Sequence, residues 1–353
     1  MDNLQQRIRA FAELGRLFRA YTANGEYPQP QWINALDRVV TQAEHRNGWF
    51  TKEQVTYALS HWGQLLTEAQ LNNWLLPYSL PQKGDMTIGL VLAGNIPLVG
   101  FHDFLSVLIT GNAVLIRQSS NDAALLPVIV KFLGEIYPLF KERIQITDQK
   151  LEGFDAVIAT GSNNTARYFD YYFGQWPHII RRNRNSVAVL TGHETQGELR
   201  ALGEDIFRYY GLGCRSVSKL FVPEKYDFDP FFKAIFPFAS MMEHAKYANN
   251  YDYNKAVYLM SEFNILENGF LMLKEDEGYA SPIATVFYSK YSSIASLRKT
   301  LERDRDKIQC IVANGFSGKE VEFGHTQSPA LNVYADGADT VDFLLKTQRN
   351  SLP

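Results

Sequence analysis

The sequence contains little cysteine, little net charge and no long uninterrupted apolar run. Cys214 and Cys310 are the only 2 cysteines among 353 residues. Two cysteines are too few for a disulfide framework, which favours a cytoplasmic location. Lys and Arg number 35 against 38 Asp and Glu, for a net charge of -3. Because this balance supplies no strong basic field, we expect no nucleic-acid partner.

Signals for membrane insertion and metal binding are also missing. No segment is predicted to span a bilayer, because the apolar stretch 86–116 is interrupted by Gly94, Asn95, Pro97, His102, Asp103 and Asn112. The amino-terminal residues lack the pattern of a secretory signal and are typical of an amphipathic helix. The histidines at positions 102, 178, 193, 244 and 325 share no metal-ligand spacing, so we predict no metal site.

The residues that are present indicate alternating helices and strands. With 46% hydrophobic residues, a chain of this length is globular and too long for one ordinary domain. Residues 2 to about 75 have the pattern of helices, with TKEQ at 51–54 as a capping box. From Thr87, short apolar runs alternate with turns and amphipathic segments, which predicts a parallel α/β sheet over about 87–190.

A second unit of mixed elements is predicted to begin near Val187. The sequence TQGE at 195–198 forms another capping box and opens a helix that runs up to Gly211. We therefore expect one domain over 1–186, joined by 330–353, and another over 187–329.

The segment YYGLGCRSVSKLFVP contains the strongest candidate for chemistry. Gly211 and Gly213 lie between a predicted helix and a predicted strand, which places Cys214 on a tight turn where its N–H can also face a substrate. A lone cysteine is more often a small buried thiol. That interpretation is kept for Cys310, in the apolar run KIQCIVANG, whereas the glycines favour a catalytic role for Cys214.

Two other turns follow predicted strands. In LVLAGNIPLVG, Asn95 precedes Pro97, a good first-turn residue for the next helix; its amide could donate to an oxyanion, although such an Asn is more often a helix cap. In ATGSNNTARYF, Gly161 lets the backbone approach closely, while Ser162 and the N–H groups of the next helix could hold a phosphate. The latter is no G-x-G-x-x-G fingerprint, and a plain turn with a Ser cap would look the same.

Taken in this order, the segments resemble the aldehyde dehydrogenase superfamily, and most closely its acyl-CoA reductase branch, which is related to the bacterial luminescence fatty-acid reductase. The resemblance covers about 85–345 and rests on Asn95, GNAVLIR ending at Arg117, Thr160-Gly161-Ser162 and the Gly-preceded Cys214. The stretch VEFGHTQSPALNVYADGADTVDFLL is similar to that branch in particular. The resemblance implies an α/β fold with a Rossmann-type nucleotide-binding domain, behind a helical preface, and a second α/β catalytic domain that carries Cys214.

The resemblance also implies roles for individual residues. Cys214 would be the nucleophile, and the side-chain amide of Asn95 would stabilise the oxyanion together with the Cys214 N–H. Thr160, Gly161 and Ser162 would bind the cofactor, with Ser162 at the pyrophosphate.

The cofactor that the resemblance implies is NADPH, with NADH as the alternative. Arg117 occupies the position of a ribose-contacting Lys, and Ser120 stands where NAD-preferring members often carry a Glu. Loss of that carboxylate removes its repulsion of a 2′-phosphate. Glu277, in EDEGYASPIATVFYS, corresponds within one residue to a Glu that binds the nicotinamide ribose. His325, in FGHTQSP, either lines the active site or positions its loop.

One departure from the superfamily pattern indicates the reaction. Hydrolytic aldehyde dehydrogenases use a general-base Glu, but aligning Asn185 in HIIRRNRNSVAVL with the family's Asn places Ile180 at that position. The nearest carboxylates, Asp170 and Glu194, are several residues away. An acyl-Cys intermediate should therefore survive water and be resolved by hydride or by a thiol, which predicts an acyl-CoA thioester reductase that forms an aldehyde.

Several alternatives stay open at this stage. Arg215, Lys219 or the cofactor's own charge could favour the thiolate form of Cys214. The thioester could be carried by CoA or by a carrier protein, and a homodimer is expected from the resemblance alone. An acyl-phosphate reductase of the same superfamily would share the fold, the cysteine and the missing base. A non-catalytic scaffold would show an inert Cys214 and no cofactor binding.

Overall fold

The computed structural model describes residues 2–81 and 84–350. The chain divides into two compact units, Met1–Arg182 with Ala330–Pro353, and Asn183–Pro329. The main segment of the first unit ends at Arg182, whereas the sequence predicted that it would end at residue 186. Both units combine helices with a largely parallel sheet, as the α/β prediction requires.

The first unit opens with the predicted helices: α1 Leu4–Thr22, α2 Pro30–Arg46, α3 Lys52–Leu65 and α4 Glu68–Leu75. Side-chain caps begin three of them, because Asn3, Thr51 and Thr67 each accept a hydrogen bond from a backbone N–H three residues ahead. Helix α2 instead has Pro30 at its first position, where the missing N–H has no cost. The Thr51 cap is one half of the predicted TKEQ box.

A five-stranded sheet forms the rest of the first unit. Its strands and helices follow one another as β1 Thr87–Val91, α5 Phe101–Ile109, β2 Ala113–Arg117, α6 Leu125–Ile136, α7 Phe140–Arg143, β3 Ile144–Ile146, β4 Ala156–Thr160, α8 Asn163–Phe173 and β5 His178–Arg181. The spatial order is β3-β2-β1-β4-β5, and every neighbouring pair is parallel. Strand β1 is therefore central, and the strand order reverses beside it as in a Rossmann-type sheet.

The carboxyl-terminal segment completes the first unit. It contains a 3-10 turn, Ala335–Gly337, and helix α13 Thr340–Asn350. The buried guanidinium of Arg181 ties this segment to the sheet, because it donates to the carbonyl of Ala335 at 2.6 Å and to the carboxylate of Asp103 at 2.6 and 3.2 Å.

The second unit is built around a six-stranded sheet. Its elements are β6 Asn185–Val189, α9 Gln196–Phe207, β7 Val217–Pro223, α10 Asp229–Ile235, α11 Ala245–Met260, β8 Ile265–Glu267, β9 Met272–Glu275, β10 Thr285–Tyr291, α12 Ile294–Arg303 and β11 Ile308–Val312. The order is β11-β6-β7-β10-β9-β8, and only the β8–β9 pair is antiparallel. Helix α9 begins at the predicted capping box, with both Thr195 and Glu198 bonded as expected.

The first sheet is shorter than the sequence predicts. The parallel sheet was expected over about 87–190, but it ends at Arg181, because β6 pairs with β7 and β11 of the second unit. An apolar run shows that a strand is buried without showing which sheet it joins.

Two predicted helix ends are also corrected. The helix after β1 begins at Phe101 instead of Pro97, because Leu98 has a φ of 57°, which a right-handed helix excludes. Helix α9 ends at Phe207 and continues to Gly211 only as a 3-10 turn. No helix within the described residues is both long and apolar enough to cross a membrane.

Candidate active site

Several predicted cofactor-binding residues lie at one edge of the first sheet. Arg117 and Thr160 are the last residues of β2 and β4, the two strands that flank β1. Val91, at the end of β1, pairs with Arg117 on one side and with Ala159 on the other. In open parallel sheets, ligands bind beyond the carboxyl ends of the strands at such a reversal of strand order. This edge is therefore the candidate nucleotide site.

The turn after β4 opens directly into α8. Ser162 is the N-cap of that helix, and its Oγ accepts a hydrogen bond from the Thr165 N–H at 3.2 Å. A Cβ at Gly161 would approach the ring of Phe169 to 2.9 Å, so this position favours glycine. Ser162 is exposed at the helix N-terminus, a position that favours anions. The structure shows the capping role of Ser162; its contact with a phosphate stays a prediction.

The two residues expected to select the cofactor lie at the end of β2 and just after it. Arg117 is exposed, and its Nη1 donates to the carbonyl of Gln149 at 3.4 Å. Ser120, also exposed, begins the 3-10 helix Ser120–Asp122. Their contacts with an adenosine ribose stay predictions.

Asn95 lies on a turn between β1 and α5. It is exposed and does not cap α5, whose N-cap is Gly100. The turn is strained at Leu98, which has a φ of 57°. The N–H of Leu98 donates to Oδ2 of Asp122 at 3.0 Å, so a carboxylate from beyond β2 holds the turn that carries Asn95.

Cys214 lies on a tight turn in the second unit. The preceding 3-10 turn, Arg208–Gly211, ends with three residues at φ of 54°, 56° and 75°, which redirect the chain before β7. The N–H of Ser216 donates to the carbonyl of Gly213 at 2.9 Å and closes the turn around Cys214. The cysteine is partly exposed. We call residues 213–216 the nucleophile turn.

Two side chains from elsewhere in the second unit support the nucleophile turn. The buried Ser186 hydroxyl donates to the carbonyl of Cys214 at 3.0 Å and lies 2.9 Å from the Sγ of Cys310. The Nε2 of Gln327 donates to the Oγ of Ser216 at 3.2 Å. Burial raises the pKa of Cys310, which lies in β11. This environment agrees with the structural role expected for Cys310.

The loop that carries His325 is held by a buried carboxylate. Asp205, on α9, accepts hydrogen bonds from the N–H groups of Gly324 at 2.6 Å and Thr326 at 2.9 Å. His325 is exposed, with its Nδ1 3.0 Å from the carbonyl of Phe323. Among the described residues, no group of three or more His, Cys, Asp or Glu side chains is arranged to hold a metal ion.

Lys219 holds the segment that carries Glu277. The lysine is buried in β7, and its Nζ donates to the carbonyl of Asp276 and to the Oγ of Ser289. Burial lowers the pKa of Lys219 to about 8. Glu277 is exposed and accepts a hydrogen bond from the same Ser289 hydroxyl at 3.4 Å. The structure thus gives Lys219 a supporting role near Glu277, which the sequence did not indicate.

The strand that was aligned with the general-base position contains no carboxylate. Ile180 lies within β5, whose sequence is HIIR. Asp170 forms an ion pair with Arg182 at 2.7 Å. Glu194 accepts hydrogen bonds from the N–H and hydroxyl of Thr191 at 2.6 and 2.8 Å. The two carboxylates nearest in sequence are therefore engaged in local contacts.

Sequence reasoning missed Ser186 and Gln327. Each bonds to the nucleophile turn across a long chain separation, 28 residues for Ser186 and 111 for Gln327. Isolated Ser and Gln residues of this kind carry no local pattern that marks them as supports. Asp205, which was also missed, differs from a surface Asp on an amphipathic helix only by its burial.

The two-unit α/β architecture is that of the aldehyde dehydrogenases. Aldehyde dehydrogenase 21 from Physcomitrella patens, solved with its reaction product succinate, matches with a TM-score of 0.63 and 12% identity, over 98% of this chain and 87% of that chain. An NAD-dependent aldehyde dehydrogenase from Sinorhizobium meliloti matches with a TM-score of 0.63 and 9% identity, over 94% and 72% of the two chains. An NAD-dependent benzaldehyde dehydrogenase from Corynebacterium glutamicum matches with a TM-score of 0.60 and 11% identity, over 91% and 80%. At such low identity these similarities establish the fold alone.

The sequence adds a narrower resemblance within that fold. Residues 82–247, which include Asn95 and Cys214, match the family model described as acyl-CoA reductase (LuxC). The sequence matches no curated protein significantly. The sequence is thus similar to the LuxC family over these residues, and the chain has the aldehyde dehydrogenase fold, as the resemblance predicted. Together, the family match and the fold point to oxidoreductase chemistry.

Proposed function

We propose that this protein is an NADPH-dependent acyl-CoA reductase that forms an aldehyde through an acyl-Cys214 intermediate. The match of residues 82–247 to the acyl-CoA reductase family supports the substrate class. The observation that carries the proposal is the nucleophile turn, which presents a partly exposed Cys214 and is fixed by the Ser186 hydroxyl from another strand.

The residues of the first unit fit a bound dinucleotide. The edge formed by Arg117 and Thr160 lies where the strand order reverses. Gly161 leaves no room for a Cβ, and the exposed N-terminus of α8 offers backbone N–H groups to a pyrophosphate. Ser120 places a neutral side chain where a Glu would repel a 2′-phosphate, which favours NADPH over NADH.

Cys214 performs the covalent chemistry in this proposal. Its thiolate attacks the thioester carbonyl carbon, and the bond from that carbon to the CoA sulfur breaks as the Cys214 acyl bond forms. NADPH, when bound, would supply the hydride that reduces the acyl group. The bond between the former acyl carbon and the Cys214 sulfur breaks once that carbon is reduced, which releases the aldehyde and restores the Cys214 thiolate. No water is consumed, consistent with an isoleucine at the aligned general-base position.

The side-chain amide of Asn95 and the N–H of Cys214 are the proposed donors to the oxyanion. Removal of one such donor typically lowers the rate by about 10² to 10³. Thr160 and Ser162 hold the cofactor, and Glu277 holds its nicotinamide ribose.

The test follows NADPH oxidation with a panel of acyl-CoA thioesters of different chain lengths. We expect turnover to aldehyde by the wild type, loss of turnover in Cys214→Ala, and near-normal turnover in the matched variant Cys310→Ala. Repeating the panel with NADH tests the cofactor preference. The proposal fails if Cys214→Ala turns over like the wild type, or if the protein reduces acyl phosphates or carrier-protein thioesters while acyl-CoA thioesters are inert.

A further inference from the structure

We propose that Asp122 is a positioning residue that holds the turn carrying Asn95 in its active conformation. Its Oδ2 accepts the hydrogen bond from the N–H of Leu98 at 3.0 Å. Leu98 has a φ of 57°, a left-handed conformation that a leucine rarely adopts unless its surroundings enforce it. The carboxylate supplies that enforcement three residues after Asn95. This inference rests on the proposed oxyanion role of Asn95.

The second oxygen of the Asp122 carboxylate is buried in an unusual position. Within the described residues, its Oδ1 has no hydrogen-bond partner. The carboxylate borders a cavity of about 20 Å³. Apart from Asp122, the side chains and backbone that line the cavity come from Leu92, Ala93, Leu98, Gly100, Phe101, Phe104, Gln118 and Leu126. Burying a carboxylate with one unpaired oxygen costs free energy of folding. The hydrogen bond from the Leu98 N–H explains why the carboxylate is buried at this place.

Among the described residues, no charged side chain contributes to the pKa shift of Asp122. Gln118 is the other polar side chain that lines the cavity, and its Nε2 donates to the backbone carbonyl of Asp122 itself. The titratable groups on the elements packed around Asp122 are Glu44, His45 and Arg46 at the end of α2, His102 and Asp103 on α5, Arg117 on β2, and Lys131 and Glu135 on α6, and none of them lines the cavity. Arg117 bonds to Gln149, and Asp103 pairs with Arg181.

This environment makes the carboxylate titrate near pH 6. Burial raises the pKa of Asp122 to about 6, opposed only in part by the Leu98 hydrogen bond. Protonation below that pH weakens the charge-assisted hydrogen bond to the Leu98 N–H and loosens the turn.

The stability of the whole fold also depends on this proton. The folded-state pKa lies above the ordinary value of 3.8, so the native state holds the proton more tightly than the unfolded state. The stability contributed by Asp122 therefore decreases as the pH rises from about 4 towards 6.

The experiment compares Asp122→Asn and Asp122→Ala with a matched control, Asp155→Asn. Like Asp122, Asp155 accepts a hydrogen bond from a backbone N–H. Its Oδ2 lies 2.7 Å from the N of Thr87, at the start of β1, whereas the turn that carries Asn95 follows the end of β1. We expect kcat for the acyl-CoA reaction to fall about 5-fold in Asp122→Asn and about 50-fold in Asp122→Ala, with KM nearly unchanged. We expect kcat of the wild type to decrease as the pH falls below 6. This decrease should be absent in Asp122→Asn, whose side chain does not titrate. Asp155→Asn should keep the wild-type kcat and pH profile.

A second measurement does not depend on turnover. Hydrogen exchange of the peptide that contains Leu98 should be at least 10-fold faster in Asp122→Ala than in the wild type, and unchanged in Asp155→Asn. Unchanged exchange in Asp122→Ala, or a wild-type kcat and pH profile in both Asp122 variants, would overturn the inference. Absence of turnover in the wild type itself would instead overturn the proposed function, and the exchange data would still decide whether Asp122 holds the turn.

Discussion

Ser186 supports the nucleophile turn through a single hydroxyl group. The variant Ser186→Ala removes the donor to the Cys214 carbonyl, whose distance from Ser186 Oγ is 3.0 Å. A neutral hydrogen bond contributes about 1 kcal/mol, which corresponds to roughly a fivefold change in a rate that depends on the turn. We expect iodoacetamide to modify Cys214 about fivefold more slowly in this variant, measured by mass spectrometry in a Cys310→Ala background.

The matched control for this prediction is Ser281→Ala. The Ser281 hydroxyl also donates to a backbone carbonyl of the second unit, that of Thr285 at 2.6 Å. Ser281→Ala should leave the alkylation rate of Cys214 unchanged. Equal rates in the Ser186 variant and its parent would show that the hydroxyl does not position the nucleophile.

At the scale of elements, one buried ion pair joins β5, α5 and the carboxyl-terminal segment of the first unit. Arg181 and Asp103 are both largely buried and lie 2.6 Å apart, and the hydroxyl of Thr340 also donates to Asp103 at 3.1 Å. Asp103→Asn leaves the guanidinium without its counter-charge. Breaking such a buried pair typically costs about 3 to 5 kcal/mol. We expect a loss of that size in the free energy of unfolding, measured with urea at pH 7.

The pH dependence of the same pair has a defined sign. Burial alone would raise the pKa of Asp103, but the charge of Arg181 outweighs it, so the pKa is lowered. The carboxylate therefore stabilises the fold above its ordinary pKa of 3.8, and this contribution is lost as the pH falls further. The exposed pair of Asp342 and Lys346 serves as the control, because Asp342→Asn should cost less than about 1 kcal/mol. A similar cost for both variants would contradict the prediction.

At the scale of the whole molecule, the proposed cofactor contacts other than Glu277 lie in the first unit, and the nucleophile lies in the second. We expect NADPH to raise the thermal midpoint of the wild type and of Cys214→Ala equally, because Cys214 is not one of the proposed cofactor contacts. Gly161→Val should abolish the shift, since a Cβ there would meet Phe169 at 2.9 Å and displace the turn before α8. The measurement is differential scanning fluorimetry with and without NADPH.

The thermal midpoint of each variant is also measured without NADPH, so the shift caused by the cofactor is determined separately for each variant. An undiminished NADPH shift in Gly161→Val would place the cofactor away from the turn after β4. A shift that disappears in Cys214→Ala would show that Cys214 itself contributes to cofactor binding, which contradicts the proposed set of cofactor contacts.

Patterns within short stretches of sequence predicted much of the fold. The amino-terminal helices, β1, β2 and β4 lie where apolar periodicity and turn residues placed them. The TQGE box was confirmed in full, and Ser162 proved to be a helix cap, the plainer of its two interpretations. These signals succeed because capping and burial of one face depend on residues only a few positions apart.

The sequence by itself determined the LuxC-like resemblance, the α/β class and the turn between a helix and a strand on which Cys214 lies. Tertiary structure alone decided which sheet β6 joins and which side chains support the predicted site. Ser186 reaches Cys214 across 28 residues, and Asp122 reaches Leu98 across 24. The left-handed conformation of Leu98 was likewise revealed only by the tertiary structure. A contact between distant residues leaves no periodic or capping pattern in either segment, so it becomes visible only when the folded chain brings the two segments together.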